Sequence, residues 1–242
     1  MKKIVIFSGA GLSAESGIPT FRGSGGLWEG YAIEEVATPL GWQQNPQKVL
    51  DFYAQRFEQM QRCQPNAAHR AIAKLSQYFD VTCLTQNIDT LLEQAGVPNV
   101  KHLHGRIDYQ KCEWHLEIPT LGAEWQCDYK ASLTQPTQLG DLCPKCGKQL
   151  RPDVVWFGEA VDMDIAYQLA DQVQIFIGVG TSATVYPAAK LLRFFNYFTP
   201  EKYFIDPHPN YEALQGYTVL EGTATEQLPP LVENLISNLV ET

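Results

Sequence analysis

The sequence predicts an α/β fold: a mostly parallel sheet with helices on both faces, interrupted by a small inserted module. Three observations carry this. Short β-branched and aromatic runs alternate with stretches of helical spacing, the pattern of a parallel sheet covered on both sides. The first run ends directly on a glycine turn. Finally, four of the six cysteines, Cys112, Cys127, Cys143 and Cys146, gather in a region with no helical periodicity.

Ile4-Val5-Ile6-Phe7 reads as a buried strand, and residues 81–84, 154–156, 173–179 and 203–205 repeat the pattern. Residues 46–62 place Val49, Phe52, Tyr53, Phe57 and Met60 on one side of a helix. Asn66 is placed to cap a second helix reaching Tyr78, and residues 164–170 and 185–195 also have helical spacing. Residues 107–151 are too poor in apolar side chains to make a core of their own, and a metal would supply the missing stability. The expected organisation is one unit over 1–242. A Rossmann-like part spans 1–106 and 152–242, the zinc-binding insertion 107–151, and a helical insertion lies around 33–65.

Composition narrows the function. The chain has 242 residues, a formal net charge of −9 and 45% hydrophobic residues, an ordinary globular balance. An acidic surface disfavours nonspecific phosphate binding, so no nucleic-acid partner is expected. Residues 4–7 form too short an apolar stretch for a signal peptide, and no run approaches the ~18 apolar residues of a membrane span. A cytoplasmic protein is expected, where clustered cysteines point to metal rather than to disulfides.

Several motifs carry chemistry. Ser8-Gly9-Ala10-Gly11-Leu12-Ser13 follows the first strand, where Gly9 and Gly11 permit a tight turn and close approach to a pyrophosphate. The plainer alternative is a simple strand-to-helix turn. A long glycine-rich loop follows, in which Arg22 can pair with a phosphate, Phe21 can cover a reactive ring, and Trp28 closes the run. Gln86-Asn87-Ile88-Asp89 falls at the carboxyl end of a strand, where parallel sheets bind ligands, although Asn87 or Asp89 could equally cap the next helix. His102 and His104 alternate at a strand end, one able to face the core and the other a cleft, which suits a general base. Cys143 and Cys146 have the spacing of a zinc knuckle, with Cys112 a third ligand. The fourth is open between Cys127 and His115, with the balance toward Cys127. Four filled positions make such a zinc structural.

Together these motifs resemble the sirtuin family of NAD-dependent protein deacylases. The resemblance spans nearly the whole chain. It rests on the Gly9 to Ser13 start, Gly17-Ile18-Pro19-x-Phe21-Arg22, Gln86 to Asp89, His104-Gly105, the Cys-x-x-Cys module, Arg151-Pro152-x-Val154-Val155-Trp156-Phe157-Gly158-Glu159 and Gly178-Val179-Gly180-Thr181-Ser182. It implies NAD as co-substrate, held by Gly9, Ala10, Gly11, Ser13, Phe21, Arg22 and Trp28. Gln86, Asn87, Ile88 and Asp89 would line the nicotinamide pocket, and Gly178, Gly180, Thr181, Ser182, Asp206 and Ala224 would complete the site. His104 would be the catalytic base, with Asn87 and Asp89 beside it. Val154, Val155, Trp156, Phe157 and Gly158 would pair with substrate backbone as an added strand.

Tyr53 and Arg56 stand three apart on one helix face, and a phenol and guanidinium converging there can bind a carboxylate. Within the resemblance this is the Tyr-x-x-Arg pair of class III members, which prefer succinyl-, malonyl- or glutaryl-lysine. Taken on spacing alone, a half-buried Tyr and an Arg paired with an acid such as Glu58 is the commoner arrangement. The implied activity is removal of succinyl or malonyl groups, and acetyl as well, from lysine in proteins or peptides. ADP-ribosyl transfer and non-catalytic NAD sensing are the alternatives, and the Tyr53/Arg56 pair favours deacylation. Two departures stand out: His115 occupies the second place of the first Cys-x-x-Cys pair, and Asp206 stands where many members have Asn. The chain begins and ends close to its first and last elements, so no regulatory tail is expected.

Overall fold

In the computed structural model the described residues are 1–20, 27–28, 30–115, 126–169, 172–182 and 188–240. The chain opens with β1 (Lys3–Ser8), then the short pair β2 (Leu27–Trp28) and β3 (Tyr31–Ala32). Helices α1 (Ile33–Val36), α2 (Pro39–Gln44), α3 (Pro46–Arg62) and α4 (Ala67–Leu75) follow. Next come β4 (Asp80–Thr85), α5 (Leu91–Gln94), β5 (Val100–His102), β6 (Gly105–Cys112), β7 (Lys130–Ser132) and β8 (Leu150–Val154). The last third holds α6 (Asp164–Leu169), β9 (Ile175–Val179), α7 (Ala188–Phe198), β10 (Glu201–Asp206), β11 (Thr218–Glu221) and α8 (Ala224–Val240).

Six strands form one sheet in the order β11-β10-β9-β1-β4-β5, and every pairing in it is parallel. Read outward from β1, the chain first winds through β4 and β5, then reverses through β9, β10 and β11. This is the doubly wound, Rossmann-like order, with its switch point between β1 and β9. Residue alternation in β1 explains the two layers. Ile4 and Ile6 pack with Ile72, Leu75, Leu228 and Val232 of α4 and α8, whereas Val5 and Phe7 pack with Ala166, Leu191 and Phe195 of α6 and α7. All four are at most 1% exposed, and each such burial stabilises by roughly 1.5–3 kcal/mol.

A second, antiparallel sheet has the order β7-β6-β8, and α1 to α3 pack against it through Phe52, Tyr53, Phe57, Ile107, Val154 and Trp156. Residues 154–156 were expected to add another strand to the parallel series. Instead β8 ends at Val154 inside the antiparallel sheet, because Val154 packs on α1 to α3 and not on the main core. α3 begins as its sequence dictates: the Asn45 side chain accepts from the Lys48 N–H, and Pro46 opens the first turn. The expected helix over 185–195 is observed from Ala188 to Phe198, and residues 183–187 lie outside the described residues. Among the described residues, no helix is long and apolar enough to cross a membrane.

Candidate active site

The carboxyl ends of β1, β4, β9 and β10 gather buried polar residues: Ser8, Thr85, Thr181 and Asp206. At the switch point the turns after β1 and β9 interlock. Gly9 N donates to Val179 O (3.0 Å) and Gly11 N to Gly180 O (2.9 Å). A Cβ on Gly11 would lie 2.6 Å from Gly180 Cα, and one on Gly180, whose φ is +62°, would lie 2.4 Å from Leu12 N. The glycines are therefore demanded by backbone crossing backbone, in addition to any ligand. Gly178 has a different reason, since a Cβ there would meet the Phe204 ring at 2.5 Å. Ala10 starts a short 3-10 turn, Ser182 follows the Gly180 turn, and Ala224 starts α8.

The segment after β4 is pinned residue by residue. Gln86 N donates to Ser8 O (2.9 Å), and its side-chain amide donates to Thr181 Oγ1 (2.9 Å). Gln86 O accepts from His104 Nδ1 (3.0 Å), and Ile88 O accepts from Ile107 N (2.9 Å). Asn87 Nδ2 donates to Ser13 Oγ (3.2 Å), which donates in turn to the buried Asp89 at Oδ2 (2.9 Å). Burial raises the Asp89 carboxyl against the opposing bonds from Leu91 N and Ser13. The capping alternative is realised in part, because Asp89 Oδ1 accepts from Leu91 N in the first turn of α5 (3.1 Å), while Oδ2 is taken by Ser13.

His104 is half-buried. A carbonyl can only accept, so Nδ1 carries the proton and Nε2 keeps its lone pair. Burial lowers its imidazole below the ordinary value, and the bond to Gln86 O opposes this without cancelling it. The result is a neutral ring of one tautomer, the state a general base needs. One residue was missed in the sequence. His69, fully buried, closes a capping box with Asn66 on α4 and brings Nε2 to 3.4 Å from Ser13 Oγ. The only signal was its place three residues after the cap at Asn66.

Tyr53 and Arg56 do share one face of α3. The Tyr53 ring is buried in the cluster with Val154 and Trp156, and burial pushes its phenol up, so it remains a donor. Arg56 Nη1 donates to Phe52 O (3.0 Å) and the guanidinium lies over the Phe52 ring at 4.2 Å. The Val154 to Gly158 segment packs on Tyr53 through Val154 and Trp156 and reaches His104, with Val155 N donating to His104 O (2.9 Å). Trp156 N donates to Glu159 Oε2 (2.8 Å) and Phe157 N to Ala37 O (2.9 Å), so these three N–H groups are already engaged. Arg151 holds the turn from beneath, donating to Val154 O (3.1 Å), pairing with Glu159 and stacking on Trp156 at 3.8 Å. Phe21, Arg22 and the Trp28 side chain lie outside the described residues.

The four thiols of Cys112, Cys127, Cys143 and Cys146 lie within 4.8 Å of one another. Sulfur separations of 3.4 Å (Cys112 to Cys146) and 3.6 Å (Cys127 to Cys143) are close to the roughly 3.8 Å of a zinc tetrahedron with 2.3 Å bonds. His115 stands outside, its Nδ1 donating to Cys127 O (3.0 Å). Burial raises the Cys112 and Cys127 thiols, while at Cys143 the N–H groups of Lys145 and Cys146 outweigh it. A structural zinc fits this donor set. A dinucleotide fits the crevice too: side-chain-free turns at Gly9 and Gly11, polar strand ends, and a buried carboxylate at Asp206.

Fold and crevice thus define the dinucleotide-binding class of doubly wound proteins, here with a neutral histidine after β5 bonded to the turn that follows β4. The chain belongs to the Sir2, or sirtuin, family, whose model matches residues 9–187. A Helicobacter pylori (strain J99) protein named NAD-dependent protein deacylase is 45% identical over 238 residues, covering 98% of this chain and 96% of its own. A Pyrococcus furiosus protein of the same name is 40% identical over 246 residues, covering 96% and 92%. Among solved structures, a Sir2 homologue in complex with NAD superposes with a TM-score of 0.84 at 37% identity, covering 98% of this chain and 91% of that one. Sir2Af2 bound to a myristoylated histone peptide gives 0.72 at 28%, covering 100% and 94%.

Proposed function

We propose that the chain is an NAD-dependent protein-lysine deacylase that acts in the cytoplasm, accepts acetyl-lysine and favours succinyl- or malonyl-lysine. The observation that carries the reading is His104, fixed by Gln86 O as a neutral ring with Nε2 free to take a proton beside the switch-point crevice. The family membership and the name shared by its relatives support it. In this reading residues 1–106 and 152–242 hold NAD, residues 107–151 hold one structural zinc on the four thiolates, and the insertion around 33–65 carries the acyl pocket.

Bound NAD supplies a ribose carbon that becomes electrophilic as nicotinamide departs. His104 Nε2 receives the proton of a hydroxyl placed at the crevice mouth. Asn87, Ser13 and Asp89 form one hydrogen-bonded chain that holds the amide of Asn87 and the carboxyl of Asp89 in fixed orientation. Arg151 and Glu159 hold the Val154 to Gly158 segment. Because the N–H groups of Val155, Trp156 and Phe157 are engaged within the chain, an incoming peptide strand would meet other groups there, the backbone carbonyls included. Tyr53 and Arg56 supply a neutral donor and a cation on the face of α3 packed against that segment, which suits an acyl carboxylate.

The test is nicotinamide release with matched acetyl-lysine and succinyl-lysine peptides, with and without NAD. NAD-dependent turnover that favours succinyl supports the full reading. Turnover of acetyl alone keeps the deacylase and removes the acidic preference. Silence on both peptides with NAD still bound brings ADP-ribosyl transfer or sensing forward.

A further inference from the structure

The second histidine of the pair is not spare. His102 lies at the end of β5, its side chain 6% exposed, and both ring nitrogens are engaged. Nδ1 is 2.8 Å from Asn87 O, and Nε2 is 2.7 Å from Glu93 Oε1. Both partners are oxygens that accept, so the two contacts are complete only when both nitrogens carry hydrogen. Glu93 stays ionised to match. Burial alone would raise its carboxyl, yet the hydrogen bond and charge of His102, with Arg106 behind them, hold it below the ordinary value. Arg106 approaches the same Oε1 at 3.3 Å and is itself tied to Asp108 at 2.7 Å.

The two histidines therefore donate to consecutive carbonyls, His104 to Gln86 O and His102 to Asn87 O. We propose that His102, clamped by Glu93, is a positioning residue that fixes the Gln86–Asn87 backbone and through it the aim of His104 and of the Asn87 amide. Leu103 N donating to Thr85 O (2.8 Å) locks the intervening residue, so the two strand ends form a short ladder with a histidine on each side of it. Without the His102 bond, the Asn87 carbonyl is free to rotate. The adjoining peptide, whose oxygen sets the His104 tautomer, is then fixed from its N–H side alone, where Asn87 N donates to Thr85 Oγ1 (3.1 Å). The role rests on the deacylase reading only for its effect on turnover, since the orientation of His104 can be read in the free protein.

The experiment compares the full-length wild type with His102→Asn and His102→Gln. An Asn amide nitrogen falls where Nδ1 stood and keeps the bond to Asn87 O. A Gln amide nitrogen falls where Nε2 stood and keeps only the tie to Glu93. Turnover is read as nicotinamide release with an acyl-lysine peptide, and His104 is read by the heteronuclear NMR signals of its ring in the absence of ligand. His102→Gln is expected to lower kcat roughly ten- to a hundredfold, with a smaller rise in the KM for NAD, and to shift the His104 ring signals. His102→Asn is expected to recover most of the rate and the wild-type signals. Equal losses in both variants that track Tm, or wild-type kcat and signals in His102→Gln, would overturn the positioning role. If the wild type itself releases no nicotinamide, the deacylase reading fails while the His104 signals still decide this one.

Discussion

At His104 one hydrogen bond settles which nitrogen is basic, and burial settles when. Because its imidazole is lowered, a smaller fraction is protonated at any given pH than in a free histidine. In the proposed mechanism His104 acts as a base only when neutral, so activity should fall only as pH drops below the ordinary histidine value of about 6.5. The kcat/KM profile measured with an acyl-lysine peptide should place its acid limb there, and a limb above about 7 would contradict the assignment. His104→Ala should retain NAD binding and lose turnover by roughly a hundredfold or more, the usual span for a general base. Arg56 tests the proposed acyl pocket independently. Arg56→Met keeps the bulk over Phe52 and removes the charge, so turnover of succinyl-lysine should drop about tenfold or more while acetyl-lysine changes little. Equal losses on both peptides would remove the carboxylate clamp.

Elements add constraints that single residues do not show. The turn after β9 exists in its observed form only because Gly180 has positive φ and no side chain against Leu12 N. Gly180→Ala should therefore cost roughly 3 kcal/mol by urea unfolding, from strain and forced separation of the two turns. A loss under about 1 kcal/mol would mean that the turns separate without cost. The N-terminus of α4 makes a second case. Burial, with the charge of Arg70, holds His69 to about 4, against about 6.5 in the unfolded chain. Between those values the unfolded chain binds the proton and the folded one does not, so stability rises with pH there. It is lost as pH falls from about 6.5 through about 4, by up to roughly 3 kcal/mol from this group. His69→Gln should flatten that part of the stability profile, and an unchanged slope would show that other groups control it.

At the scale of the whole molecule, legibility followed burial. The strands within residues 4–7, 81–84, 173–179 and 203–205 were readable because central parallel strands are apolar on both faces. β11, half-exposed at the sheet edge, left no such run. Nor did β6, where Lys111 is buried through its pairing with Asp153 and not through hydrophobic pattern. The motif at Gln86 to Asp89 and the histidine at 104 were visible because strand ends are local signals. His69 was not, since its partner Ser13 lies on a different element. One long-range path joins the remaining pieces. Cys112 is followed by Glu113, whose Oε2 accepts from Trp42 Nε1 (3.1 Å), and the Trp42 ring sits 5.7 Å from Trp156 in the segment beside His104. The thiol cluster has a separate apolar neighbourhood from the parallel sheet, so removing its metal should spare the sheet and disturb this path. Elemental analysis should find one zinc per chain. Stripping it with a strong chelator should leave the far-ultraviolet helix signal of α4 and α8 nearly intact. Tryptophan emission should change, and the peptide KM should rise before NAD binding is lost. A metal-free chain that stays folded and fully active would show that the four thiols do not need an ion. Loss of the helix signal together with activity would show that the zinc module and the sheet unfold as one.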